Sequence, residues 1–328
     1  MSVLEMSHRS KVFDDIINGA VANVKEVMNV PDNYTVLFLH GGASGFFAAL
    51  PMNLGTKTGK ADYIVSGNFS NLAAKEAEKY LKEVHIAASS EADNYNHIPR
   101  QDELDLSPDA DYVHVCWNNT IFGTTYHYIP ETGNVPLVAD MSSSIMSEPV
   151  DVSKFGIIYA GVQKNIAPAG LCLAIIRNDL IAEPMRICPK IWDFKKEAAK
   201  NSMLNTPACA QIYFVKLVTD YLKEQGGLEA MKKKNVEKAA ILYDYLDSQD
   251  FFINTVNKED RSMMNVTFRT ASPELDKEFV AGQAERGFSN LKGHRLVGGM
   301  RASIYNAMPK EGVEALVQYM KDFAASHS

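Results

Sequence analysis

The chain has only four cysteines, Cys116, Cys172, Cys188 and Cys209, and no two of them form a Cys-x-x-Cys pair. Without such a pair or a companion histidine spacing there is no zinc module, and the thiols are expected to be reduced and mostly buried. No apolar run is long enough to cross a bilayer, so the membrane classes drop out. The N-terminus, Met-Ser-Val-Leu-Glu-Met-Ser-His-Arg, lacks the apolar core of a signal peptide, which makes a cytoplasmic address the expectation. An excess of positive charge is also missing. With 33 basic and 40 acidic residues the net charge is −7, so the overall field does not draw the protein to nucleic acid, and any anion site must be local. Neither G-x-G-x-x-G nor G-x-x-x-x-G-K-[ST] occurs, which argues against dinucleotide and P-loop binding. Repeats and low-complexity segments are absent as well.

What is present is ordinary for a globular protein: 328 residues, 46% hydrophobic and 22% charged, enough for a sizeable core and for two domains. Apolar residues at Val12, Phe13, Ile16, Ile17, Ala20 and Val24 predict an amphipathic helix from Lys11 to Met28, ended by Pro31. Strand-like runs follow at 35–39, 62–65, 84–87, 112–116, 137–139, 156–159 and 171–176, alternating with helical or loop segments. That alternation predicts a mostly parallel sheet covered on both faces. From Pro207 to about Leu246 the pattern is helical, broken at Gly226-Gly227. Beyond it, 251–256, 263–269 and 300–305 read as strands, with helices near 274–286 and 310–325. The expectation is an α/β protein with a large domain over 11–227 and a smaller α+β domain over 228–328, joined by residues 1–10.

Two residues suggest a cofactor. Lys164 follows the apolar run 155–160, and Asp140 closes the run 135–139. A lysine at the mouth of a strand, partly desolvated, can form a Schiff base with an aldehyde. A carboxylate at a neighbouring strand end can hold a pyridine nitrogen protonated, which pyridoxal phosphate needs in order to act as an electron sink. Charged residues also end buried strands in many α/β proteins without binding anything. Around this pair lie further candidates. His40-Gly41-Gly42-Ala43-Ser44-Gly45 links a strand to a helical run, and small residues there let backbone N–H groups close on a phosphate; such turns are also glycine-rich for steric reasons alone. Phe69 lies just beyond a strand and could stack on a flat ring, or simply pack in the core. Thr120, in Asn118-Asn119-Thr120, could bond a ring hydroxyl, or serve a turn. The pairs His8-Arg9 and His294-Arg295, with Arg301 close after the second, offer bidentate anion binding if they converge, or are solvated basic loops.

Taken together, Tyr159-Ala160-Gly161-Val162-Gln163-Lys164-Asn165, Gly293-His294-Arg295 and Met300-Arg301-Ala302-Ser303-Ile304-Tyr305-Asn306-Ala307-Met308-Pro309 closely resemble phosphoserine aminotransferases, class V pyridoxal-phosphate enzymes of the aspartate aminotransferase-like fold (fold type I). The likeness runs from about Met6 to about Tyr319. It implies Lys164 as the Schiff-base lysine and Asp140 as partner of the ring nitrogen. It further implies Ala43, Ser44 and Gln163 on the cofactor phosphate, Thr120 on the ring hydroxyl and Phe69 stacked on the ring, where the family commonly has tryptophan. Asn205 and Thr206 match a pair that reaches the phosphate from a neighbouring subunit, which implies a homodimer with sites at the subunit interface. Arg301 matches the arginine for the α-carboxylate. His8 and Arg9, with His294 and Arg295 of the second subunit, match the cluster for a distal phosphate or carboxylate. The implied reaction is a ping-pong transamination between glutamate and 3-phosphohydroxypyruvate, giving phosphoserine and 2-oxoglutarate in serine biosynthesis, with phosphorylated hydroxythreonine of pyridoxine synthesis as a parallel substrate. Competing expectations are another class V enzyme, such as a serine- or alanine-glyoxylate aminotransferase, or a weakly active shortened homologue. The latter arises because the family commonly carries an Asn-Phe-Ser-Ala-Gly-Pro-like segment ahead of the equivalent of Glu5-Met6-Ser7-His8-Arg9, where this sequence opens.

Overall fold

The computed structural model describes residues 2–327. Its elements in chain order are α1 (Lys11–Val27), β1 (Tyr34–His40), α2 (Gly42–Leu54), β2 (Lys60–Val65), α3 (Asn68–Ala77), β3 (Glu83–Ser89), β4 (Val113–Cys116), β5 (Asn118–Asn119), β6 (Thr124–Thr125), β7 (Leu137–Asp140), β8 (Ile157–Gly161), β9 (Leu171–Arg177), α4 (Phe194–Ala199), α5 (Cys209–Glu224), α6 (Gly227–Asp247), β10 (Asn265–Phe268), α7 (Pro273–Gly282), β11 (Met300–Ser303) and α8 (Lys310–Ser326).

Seven strands form one sheet in the order β1-β9-β8-β7-β4-β2-β3. Strands β3, β2, β4, β7 and β8 pair in parallel, while β9 runs antiparallel to both β8 and β1, so β9 alone is reversed. The central strands Val-His-Val-Cys, Leu-Val-Ala-Asp and Ile-Ile-Tyr-Ala-Gly are buried along their whole length. Burial on both faces is what such continuous apolar runs predict. Alternate side chains divide between two cores. Val113, Val115, Leu137, Ala139, Ile158 and Ala160 meet α1 and α5 on one face, and Tyr63, Val138, Ile157 and Tyr159 meet α2 and α3 on the other. Helix α1 begins at Ser10, whose hydroxyl accepts from the Phe13 N–H, and presents Phe13, Ile16, Ile17, Ala20 and Val24 to the first core. Helix α2 is instead buried from Phe46 to Leu54, wedged against β8 and β9.

A third core, from Ala239 to Phe323, gathers α6, α7 and α8 around the antiparallel pair β10–β11. The expected break at Gly226-Gly227 separates α5 from α6, with φ of +94° and +76° at the two glycines, a left-handed conformation that other residues adopt only with strain. Helix α6 straddles two cores, Leu228 and Met231 in the first and Ala239, Leu242 and Leu246 in the third.

The strand expected over 251–256 is not formed. Ile253 exchanges both backbone hydrogen bonds with Arg269, but beside it the carboxamide of Asn254 donates to the Thr267 carbonyl and accepts from the Val256 N–H. A side chain that takes over the backbone's partners stops the ladder after one bridge. Phe252 stays in the core, so its apolar signal reflects burial rather than strand.

Candidate active site

Because β9 alone is reversed, the C-terminal ends of β1, β2, β4, β7 and β8 share one edge of the sheet, where ligands of open α/β sheets bind. The loops leaving those ends enclose a cavity of about 480 Å³ lined by Ala43, Ser44, Phe69, Thr120, Asp140, Gln163, Lys164, His294 and Arg301 among others. Nine of the residues singled out in the sequence thus meet at one place.

One end of the cavity is suited to an anion. Gly41, at φ +104°, turns the chain from β1 into α2, which starts without a side-chain cap. The N–H groups of Gly42, Ala43 and Ser44 therefore have no intrahelical acceptor, and the helix dipole adds positive potential. A Cβ on Gly161 would fall 2.9 Å from Gln163 Oε1 and 3.3 Å from the Ala43 nitrogen, so the end of β8, the Gln163 side chain and the start of α2 are packed together. The turn is anchored by Trp192, whose indole N–H donates to the His40 carbonyl at 3.1 Å.

The middle of the cavity suits a flat cationic ring. Asp140 is only 4% exposed. Its Oδ1 accepts from the Ser142 N–H at 2.9 Å and from the Ser142 hydroxyl at 2.5 Å, and that hydroxyl accepts from the Gly161 N–H at 2.9 Å. Among the described residues no group donates to Oδ2, although Asp140 lines the cavity. Burial pushes the Asp140 carboxyl above its ordinary range, opposed by the Ser142 hydroxyl and the charge of Lys164. A ligand N–H⁺ meeting Oδ2 would remove that penalty. Lys164 is half-buried in the turn after β8, its Nζ 5.4 Å from the centroid of the Phe69 ring. Beneath Asp140, on the same face of the sheet, His114 Nε2 lies 2.7 Å from the Tyr159 hydroxyl, and burial lowers the His114 pKa to about 3, which keeps it neutral. Cys116 also borders Asp140, and burial raises its thiol far above its usual range, so it is no nucleophile.

The remaining wall comes from the C-terminal core. Arg301 on β11 donates through Nη1 to the Thr120 carbonyl at 3.0 Å, while its buried Nε has no partner among the described residues. His294, which the resemblance assigned to a second subunit, lines this chain's own cavity. Arg295 is exposed and lines an adjacent hollow with Lys277 and Lys292. Asn205, Thr206, His8 and Arg9 lie outside the lining. The loop bearing Asn205 and Thr206 runs along the open edge of β1, with the Phe38 N–H donating to Ser202 Oγ and His40 Nε2 3.1 Å from the Thr206 carbonyl.

Sequence reasoning missed Ser142, Ser143, Asn118 and Tyr305. Ser142 and Ser143 follow Asp140 closely and had a local signal. Asn118 passed as a turn residue, and Tyr305 passed as part of a motif.

A class V aminotransferase model matches residues 2–316, and the chain belongs to that family. A phosphoserine aminotransferase from Desulfatibacillum aliphaticivorans is 52% identical over 98% of this chain and 89% of its own length. The solved phosphoserine aminotransferase from Bacillus circulans subsp. alkalophilus superposes with a TM-score of 0.97 at 45% identity, covering 100% of this chain and 91% of that one. The phosphoserine aminotransferase of Trichomonas vaginalis, solved with pyridoxal phosphate bound, gives a TM-score of 0.93 at 37% identity, covering 98% and 91%.

Proposed function

We propose that the protein is a phosphoserine aminotransferase that uses pyridoxal 5′-phosphate to exchange an amino group between glutamate and 3-phosphohydroxypyruvate. One observation carries this reading: a single cavity holds a lysine amine, a buried carboxylate with one unbonded oxygen, an uncapped helix start and an arginine with a free Nε. The glyoxylate aminotransferase alternative is not favoured, since relatives at about half identity are named phosphoserine aminotransferases.

The residues fit the cofactor. The first turn of α2, Ser44 and Gln163 would hold its phosphate, Phe69 would face its ring, Thr120 its hydroxyl and Asp140 Oδ2 its ring nitrogen. When bound, the cofactor supplies an electron sink for the charge left on the substrate α-carbon. Lys164 supplies the amine that takes the proton from the substrate α-carbon and would release it to the cofactor carbon that receives the amino group. Asp140, held by Ser142, keeps a positive charge opposite itself throughout. Arg301 orients the substrate α-carboxylate so that the α-hydrogen faces Lys164.

The distal anion of glutamate or phosphoserine is assigned to His294 and Arg295, with His8 and Arg9, as one cluster that accepts both phosphate and carboxylate. A homodimer is part of the reading: Thr206 is exposed and outside its own chain's cavity, so Asn205 and Thr206 are assigned to the partner's phosphate end. The division proposed is a large unit over 11–227 and a small one over 228–328 with 1–10; the separate third core supports the small unit from Ala239 onward, whereas Val3, Met6, Leu228 and Met231 pack with the first core. The cytoplasm is the compartment proposed for this serine-forming step. The test is colour and turnover. The purified protein loaded with pyridoxal phosphate should be yellow, bleach on adding glutamate, and recover with 3-phosphohydroxypyruvate; faster turnover with alanine and glyoxylate than with this pair would reject the assignment.

A further inference from the structure

The wall carrying Arg301 is joined to the strand-end loops by a chain of buried amides whose direction is set by the backbone. The Ser143 hydroxyl donates to the Asn118 carbonyl at 2.9 Å, so its oxygen is the acceptor for Asn118 Nδ2 at 2.8 Å. Ser262 Oγ accepts from the N–H groups of Met264 and Asn265, both at 3.0 Å, and so gives its proton to Asn118 Oδ1. Both contacts orient Asn118 the same way. Its Nδ2 then also donates to Asn265 Oδ1 at 2.9 Å, which turns the Asn265 Nδ2 toward Ser303 Oγ at 3.1 Å and the Tyr305 hydroxyl at 3.2 Å. Asn118 is 3% exposed, and Asn265 and Ser262 are fully buried. Each carboxamide oxygen accepts once and each nitrogen donates twice, so flipping Asn118 would set its Oδ1 against Asn265 Oδ1 and flipping Asn265 would set its Nδ2 against Asn118 Nδ2.

The consequence falls on Tyr305. Its oxygen is an acceptor for Asn265, so its own proton points elsewhere, and no described residue receives it. Tyr305 lines the cavity together with Arg301. Its backbone is fixed twice more: buried Lys238 donates to the Tyr305 carbonyl at 2.8 Å, and the N–H of the next residue, Asn306, donates to Asn165 Oδ1 at 3.1 Å, beside Lys164.

We propose that Tyr305 is a substrate-contacting residue whose hydroxyl donates to the substrate carboxylate held by Arg301, and that Asn118 and Asn265 are positioning residues that aim this proton. The assignment rests on the aminotransferase reading above. It gives the site a neutral donor beside the arginine, which sharpens preference for a carboxylate without adding charge.

The test uses the full-length protein loaded with pyridoxal phosphate, and the affinity for glutarate, an inert dicarboxylate, read from the visible absorbance. Tyr305→Phe should weaken glutarate and raise KM for glutamate about tenfold, while cofactor affinity stays within about twofold. Asn265→Asp, isosteric but now only an acceptor, should recapture the hydroxyl proton and lose at least as much. The double variant should lose no more than Asn265→Asp alone, since both changes remove one interaction. Glutarate binding unchanged in Tyr305→Phe overturns the proposal, as does an equal loss of cofactor affinity or full additivity of the two changes. A wild-type protein that neither takes up the cofactor nor turns over glutamate overturns the aminotransferase reading itself; an active wild type beside an unaffected Tyr305→Phe overturns only the role of Tyr305.

Discussion

Ser142 donates twice to one oxygen of Asp140, through its N–H at 2.9 Å and its hydroxyl at 2.5 Å, and the other oxygen has no donor among the described residues. The carboxylate is thereby oriented but not neutralised. Asp140→Asn should lower turnover by on the order of 10²–10³. The same change should raise the melting temperature of the cofactor-free protein by a few degrees at neutral pH. The sign follows from the raised Asp140 pKa: the folded state binds the proton more tightly than the unfolded chain, so stability is intact below the ordinary carboxyl range and falls as pH rises through the raised value. Thermal melts of wild type and Asp140→Asn across pH 3 to 8 would check this; parallel curves would show that the buried charge costs nothing.

Glu197 offers a second, independent pH effect. It is 2% exposed, its Oε2 has no partner among the described residues, and burial raises its pKa to about 7. Stability should be fully retained below its ordinary pKa of 4.5 and decline as pH rises from there through about 7, where the folded state ionises in turn. Glu197→Gln should flatten that decline and gain at most about 3 kcal/mol at pH 8. Urea denaturation at pH 5 and pH 8 measures it, and the Gln variant should be near neutral at the lower pH.

Lys164→Ala should abolish turnover and covalent uptake of the cofactor. After reduction with borohydride and digestion, the wild-type peptide containing residue 164 should carry the cofactor's mass, and no other peptide should. A labelled peptide from elsewhere would move the reactive amine.

Arg301→Lys should raise KM for glutamate by about 10²-fold, because the ammonium cannot reproduce the planar fork. Arg295→Ala should weaken glutamate and phosphoserine far more than alanine, which has no distal anion. Equal losses on all three substrates would remove Arg295 from the distal cluster.

Mixed dimers test the contribution of Asn205 across subunits. Lys164→Ala chains and Asn205→Ala chains, each inactive or weak alone, should regain about a quarter of wild-type activity when unfolded and refolded together, because one of the two sites in each hybrid is intact. If Asn205 served its own chain's cavity, mixing would restore nothing.

The sheet was legible because its central strands are continuous apolar runs, and the site was legible where Asp140 closes such a run and where Phe69, Thr120 and Lys164 follow within a few residues of one. Periodicity could not separate strand from core at Phe251 and Phe252, where apolar residues serve packing while the Asn254 side chain occupies the backbone's partners. Nor could it reveal Asn118 with Asn265. The two lie 147 residues apart; Asn118 looks like a turn residue and Asn265 like one more residue of a strand-like run. Pairing of that kind exists only once the third core has docked against the strand ends.

The reversal of β9 gives the amine of Lys164 a mounting unlike that of its neighbours. Phe69 heads a helix and Thr120 a long crossover, whereas Lys164 sits in a nine-residue return between two strands stitched to each other from Gly161–Cys172 onward. On the reading proposed above, a base on so short a bracket has its α-carbon placed by two paired strands, and the swing between partners is left to the four methylenes of the side chain.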